Sequence, residues 1–162
     1  MKKIQFPVLQ TVEVGIGFKT ADDFRNALTA SNCRIDRYSN SMFDDPRFTA
    51  SVTKTSVGLC WATVKELRFE KATRYDKICA RIVEFGYDLC GPWDGPLLRL
   101  QYSKQPLDEW LWMAMNPLRN LHGHLNIFDV GHGVDGLWLI SLYGDPGILF
   151  NPEGRFVFRL RK

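Results

Sequence analysis

From Cys90 to the C-terminus the chain runs as short apolar segments separated by clusters of Gly, Pro and Asp, and this punctuation limits its fold more than any other feature. "GPWDGP" opens the series. "LLRLQYS", "EWLWMAMNPL", "LNIFDV", "LWLISLY" and "RFVFRLRK" follow at a spacing of about 12 residues. Segments of this length are strand-sized, and loops this short join antiparallel neighbours. The spacing therefore predicts an antiparallel meander of about five strands. In "LLRLQYS" the alternation puts Leu98, Leu100 and Tyr102 on one face, with Arg99 and Gln101 on the other. In the last strand Phe156, Phe158 and Leu160 face the core, while Arg155, Arg159 and Arg161 share the solvent face. "EWLWMAMNPL" is different: Trp110 and Trp112 take one face and Leu111, Met113 and Met115 the other. Both faces are apolar, so both need a cover, such as helices on one side and a second copy of the chain on the other.

The first half carries the helix signals. "KTADDFRNALTASN" opens with Thr20 and has Asp23 three residues on, a Thr-x-x-acid capping box. Phe24, Ala27 and Leu28 follow at helical spacing, and Asn32 suits a left-handed stop. "ATRYDKICARIVEFG" opens in the same way with Thr73 and Asp76. It sets Ile78, Ile82 and Phe85 on one face and closes on Gly86. Each helix leads into a short extended piece, "CRIDRY" and "YDLC". Between them "SVTKTSVGLCWATVKELRF" is rich in Val and Thr, which is strand chemistry. "YSNSMFDD" has a weaker helix pattern that Asp45-Pro46 ends. The whole reads as a single α+β domain over 1–162, with a helix-containing part over 1–90 and a β-meander over 91–162. Its two or so helices pack on one face of the meander.

Composition agrees with one domain. The 162 residues are 45% hydrophobic and 24% charged, enough to bury a core without metals or disulfides. The net charge of +3 makes no dense basic field of the kind that nucleic-acid binders show. No apolar run reaches the roughly 18 residues that span a membrane. The start, "MKKIQFPVLQTVEVGIG", is Lys-tipped but carries Glu13 and no continuous apolar core, so it reads as mature protein rather than a signal peptide. Cys33, Cys60, Cys79 and Cys90 show no C-x-x-C spacing and sit in apolar contexts, which predicts reduced thiols and a cytoplasmic location.

All three histidines lie in "HGHLNIFDVGHGVDG". His-x-His followed by Asp and a further His has the composition of a metal site. The strand reading separates them, however. Six residues at about 3.3 Å each put His122 and His124 at one end of "LNIFDV" and His132 at the other. No metal and no cofactor is therefore assigned; a metal-dependent hydrolase resting on these histidines is the least favoured reading. No nucleophile elbow, P-loop or dinucleotide fingerprint is present. Cys60 and Cys90 read as buried structural thiols. Asp22-Asp23 suits a helix's first turn, and Asp44-Asp45 lies beside a proline turn.

What remains is a mixture of aromatic and basic side chains on the meander. Arg99, Gln101, Tyr102, Trp110, Arg155 and Arg159 are the candidate binding residues, and no catalytic residue is assigned. If their faces adjoin, they form a platform that binds a protein partner through Trp and Arg anchors or stacks unpaired bases. The first expectation is a non-enzymatic interaction module, engaging a protein partner or self-associating through the sheet. The second is single-stranded nucleic-acid binding. No membrane partner is expected.

The run "ATRYDKICARIVEFGYDLC", followed by "GPLLRLQYSKQP", "EWLWMAM" and the closing "GRFVFRLRK", resembles a group of small bacterial proteins of unassigned activity. The "FKTADDFRNAL" opening is similar to theirs as well. The likeness covers most of the chain from about Gly17. It implies one cytoplasmic domain and carries over no catalytic residue. Where the group has an acidic, Gly-containing turn, this chain has "LHGHL".

Overall fold

The computed structural model describes residues 4–162, so the expectation for the Lys-tipped start falls in part on residues 1–3, outside the described residues. In chain order the elements are β1 (Val8–Val14), α1 (Ala21–Ala30), β2 (Arg34–Ile35), α2 (Arg37–Met42), β3 (Thr55–Thr63), β4 (Thr73–Arg74) and α3 (Tyr75–Glu84). Then come α4 (Asp94–Gln101), β5 (Trp110–Met113), β6 (Leu118–Arg119), β7 (Leu125–Gly133), β8 (Gly136–Tyr143), β9 (Leu149–Phe150) and β10 (Arg155–Arg159).

Local chemistry explains the helix ends. Thr20 accepts the Asp23 N–H at 3.2 Å and Asp23 accepts the Thr20 N–H at 3.0 Å, the expected capping box. Asn32 takes φ 61° and Gly86 φ 92°, the left-handed stops. The second helix starts later than Thr73 implies. Thr73 pairs with Phe150 in the small β4–β9 ribbon, and Arg74 stands at the N-cap. The weaker pattern at "YSNSMFDD" is α2, capped by Asp36, which accepts the Ser39 N–H at 3.0 Å.

The sheet corrects the meander expectation. Its strands run in the order β1-β3-β10-β5-β7-β8-β2, with β6 also on β7, and the β10–β5 and β2–β8 pairs are parallel. The fold is a mixed, curled half-barrel rather than an antiparallel five-strand meander. The last strand does not extend a series. It inserts between β3 and β5, because Phe156, Val157 and Phe158 are all fully buried and need cover on both faces. Leu160, expected in the core, is instead exposed.

"LLRLQYS" is the second correction: it belongs to helix α4. Pro96 sits in the first turn, where a missing N–H costs nothing. A Cβ on Gly95 would come within 2.9 Å of Phe128 Cβ, so this glycine lets the helix lie directly on β7. Arg99, placed by the alternation on a solvent face, is fully buried. Its Nη1 donates to Gln105 Oε1 at 2.6 Å and to Gly131 O at 2.9 Å, and Nη2 donates to Tyr102 O at 2.7 Å.

One helix now explains the curl. α4 touches β1 at one end of the sheet and β7 and β8 toward the other, so the sheet wraps around it. Gln101, also read as solvent-facing, closes the free edge of β1. Its Oε1 accepts the Glu13 N–H and its Nε2 donates to Glu13 O, both at 2.8 Å. α1 and α2 complete the concave side through Phe24, Phe43 and Phe128. On the convex side α3 and the β4–β9 ribbon cover β10 and its neighbours, with Tyr75 and Phe150 against Phe156. All four cysteines are free thiols. Among the described residues no helix is long and apolar enough to cross a membrane.

Arg99→Ala is expected to lower the unfolding free energy by about 3 kcal/mol or more, through a cavity and several orphaned acceptors. Arg155→Ala, at an exposed site, should stay within about 0.5 kcal/mol. Urea unfolding of both variants measures this, and equal midpoints would refute the role given to Arg99.

Candidate functional site

Register partners on neighbouring strands project to the same face. Across β10, β5, β7 and β8 this aligns Phe156, Trp112, Asp129 and Ile140 in one row. Trp110, Gly131, Trp138 and Arg34 form the next row, from β5 to β2. Ile127 and Leu142 continue the face. The helices that contact β7 and β8 are α2 and α4, and both lie on the concave side. No helix therefore lies over the convex face of β7 and β8; Ile127 and Asp129 are buried beneath their neighbours, and Trp110, Trp138, Ile140 and Leu142 are half-buried there.

The tryptophans are held in place by what lies beneath them. A Cβ on Gly131 would fall 1.8 Å from Trp110 Cε3, so the indole crosses β7 where a side chain is missing. Trp112 occupies the equivalent space at Gly154, with the Phe150 ring 5.1 Å away and Phe156 at 5.5 Å. Trp138 donates its Nε1–H to Asp135 Oδ1 at 2.8 Å, and the Arg34 guanidinium lies 5.6 Å from its ring. The face thus joins a large aromatic surface to both signs of charge.

Asp129 stands at its centre. It is 4% exposed, and its Oδ1 has no hydrogen-bond partner. Burial pushes its carboxyl up to about 7; the Trp112 indole opposes the shift, and the nearby Asp36 carboxylate adds to it. A buried acid with an open acceptor is costly unless something approaches it. The signal for it in the sequence was one charged residue inside the apolar run "LNIFDV".

Of the six candidate binding residues only Trp110 lies on this face. Arg99 and Gln101 are structural parts of α4, and Tyr102 is its C-cap. Arg155 lies over the Trp61 ring at 5.5 Å, and Arg159 donates to Asp94 Oδ1 at 2.8 Å with Trp93 at 5.6 Å. Both arginines project to the concave side, so the expected Arg/Trp platform is not assembled.

The remaining candidates are accounted for locally. Asp45 accepts the Arg119 N–H at 2.6 Å and is paired with Arg47, whose guanidinium is the main reason its carboxyl falls to about 2. Asp22 and Asp44 both bind Arg25. Burial raises the Cys60 and Cys90 thiols. His122 and His124 have ring centroids 6.4 Å apart at the start of β7. His132 is inside β7 near its far end, not in the following turn, and its Nδ1 lies 2.7 Å from Gln105 O.

No family model matches this chain, and no curated protein and no solved structure is similar to it at a significant level.

The fold favours the protonated form of Asp129, so it retains this proton across a pH range in which the unfolded chain has lost it. Stability from this group is complete below the unfolded value of 3.8 and is lost as pH rises through about 7. Asp129→Asn removes that loss at similar volume. Its stability relative to wild type should rise between about pH 5 and about pH 8, by roughly 1.4 kcal/mol for each pH unit up to about pH 7 and little beyond. Denaturant unfolding at the two pH values measures this, and a difference independent of pH would exclude it.

Proposed function

We propose that this chain is a non-enzymatic interaction module that associates with a second copy of itself through the convex face over β7 and β8. The observation that carries the reading is the set of half-buried side chains Trp110, Trp138, Ile140 and Leu142 on a sheet face with no helix over it. Contiguous apolar surface of this kind marks an interface, and Trp is the residue type most enriched at binding hot spots.

A second copy is the partner that the charges favour. A two-fold interface must be self-complementary, and this face carries its own cation, Arg34, beside its own exposed acid, Asp135. The same acid argues against unpaired nucleic acid on this face. The free thiols are consistent with a cytoplasmic setting.

Light scattering on a size-exclusion column is the test. The wild type is expected to run as a dimer, and Ile140→Lys, which sets an unpaired charge in the middle of the face, as a folded monomer. A wild type that stays monomeric at millimolar concentration would overturn the proposal, as would a dimer unchanged by Ile140→Lys.

A further inference from the structure

The concave side holds a second feature, at the end of β7 where His122 and His124 lie. A cavity of about 340 Å3 opens between α2 and the β7–β8 pair, lined by Tyr38, Asn120, Asn126, Ser141, Leu142 and Tyr143. Its volume is at the lower end of the range for small-molecule sites, roughly 300–1,000 Å3.

The floor is polar and held in place. Asn120 Nδ2 donates to Asn126 Oδ1 at 3.1 Å, and Asn126 Nδ2 donates to Ser141 Oγ at 3.0 Å. Asn120 Oδ1 in turn accepts the N–H groups of His122 and His124, at 2.9 and 3.1 Å. Asn126 and Asn120 are buried, and this chain of bonds fixes their amides. It leaves the Ser141 hydroxyl hydrogen and one Asn126 N–H free to donate to a ligand, because Ser141 accepts and Asn126 uses only one of its two amide hydrogens here.

The rim is aromatic. Tyr38 and His122 have ring centroids 5.8 Å apart, His122 and His124 6.4 Å, and His124 and Tyr143 5.8 Å. Four rings thus follow one another from Tyr38 to Tyr143, the two that line the cavity, and these are 38% and 55% exposed. Arg37 adds the charge. Its Nη2 is 3.4 Å from His122 Nε2 and its guanidinium 5.4 Å from the Tyr38 ring. Among the described residues it has no carboxylate partner, and no acid lines the cavity.

Exposed rings for stacking, fixed amide and hydroxyl donors below, and an unpaired guanidinium beside them suit a planar, hydrogen-bonding ring that carries an anionic group. We infer that this cavity binds a nucleoside phosphate, with the base against Tyr38 or Tyr143, its edge on Ser141 and Asn126, and the phosphate at Arg37. The same chemistry is offered by a free nucleotide and by one nucleotide of a single strand.

Calorimetric titration of the full chain with adenosine 5′-monophosphate, adenosine, inorganic phosphate and a short oligo-adenylate tests this. Saturable binding of the monophosphate is expected, weaker binding of adenosine, and none of phosphate alone. Tyr143→Ala and Arg37→Ala, both at exposed positions, should each weaken the monophosphate about tenfold, the loss of one stacking or ionic contact. A tighter oligonucleotide with the same dependence on both variants would identify a strand as the source, whereas no gain over the monophosphate would identify the free nucleotide. Absence of saturation with every probe, binding of phosphate alone as strong as the monophosphate, or affinities that ignore both substitutions would overturn the inference.

Discussion

The fold depends on a cation that has no counter-ion. Arg99 is fully buried, and among the described residues no carboxylate lies within ion-pair distance of it. Carbonyl and amide oxygens surround it instead, from Tyr102, Gln105 and Gly131, with Trp138 O more distant at 3.4 Å. Burial draws its pKa down, but a guanidinium keeps its proton inside proteins. The oxygens must therefore stay in place, and each belongs to a different piece of chain. One side chain ties α4, the loop that follows it, β7 and β8 together. Gln105 extends the tie by donating to Val130 O at 3.0 Å.

From this tie the curl of the sheet follows. α4 is held to β7 and β8 by Arg99 and to β1 by Gln101, two residues along the same helix. A flat sheet would hold those strands far apart, since five strand intervals separate β1 from β8 at about 4.8 Å each. Wrapping the sheet around α4 buries the middle of its concave face, where Leu97, Leu98, Phe128 and Val157 meet. It also splays the convex face. α3 and the β4–β9 ribbon cover only the part near β10, which leaves the tryptophans of β5 and β8 at the margin.

Residues with a single strong local signal were legible in the sequence. The capping box at Thr20 and Asp23, the Val/Thr run of β3 and the turn-bounded apolar segments of β5, β7 and β8 all gave the element that forms. α4 was not legible, because Leu98, Leu100 and Tyr102 fit a period of two while Leu97, Leu98 and Gln101 fit a helix. Arg99 then tipped the balance toward a solvent face, as a buried arginine without an acid is rare. Strand order was hidden for another reason. The buried run Phe156, Val157 and Phe158 says that a strand is central, but its neighbours are set by contacts far away in sequence. At the candidate sites, Trp110 was recognisable from the two apolar faces of its strand. Tyr38 and Ser141 were not, since each matters only through partners that the register brings beside it, and Asp129 left only the trace of one charge in an apolar run.

β7 is the strand on which both proposed surfaces depend. Its residues from Asn126 to Gly131 are all buried, yet it carries a polar group toward each side. Asp129 points to the convex face and Asn126 to the concave one. A strand selected for stability alone would hold aliphatic side chains at both positions, since buried polar groups without full satisfaction destabilise the core. Asn126 is satisfied by Asn120 and Ser141, and so costs little while presenting a fixed amide. Asp129 is not satisfied at Oδ1, and its raised pKa reflects the cost of burying it. The two polar residues sit three apart, on opposite faces of a strand held rigid by Arg99. A ligand at Asn126 and a partner at Asp129 would each meet the same inflexible element, and Leu142, which borders both surfaces, is where the two come nearest.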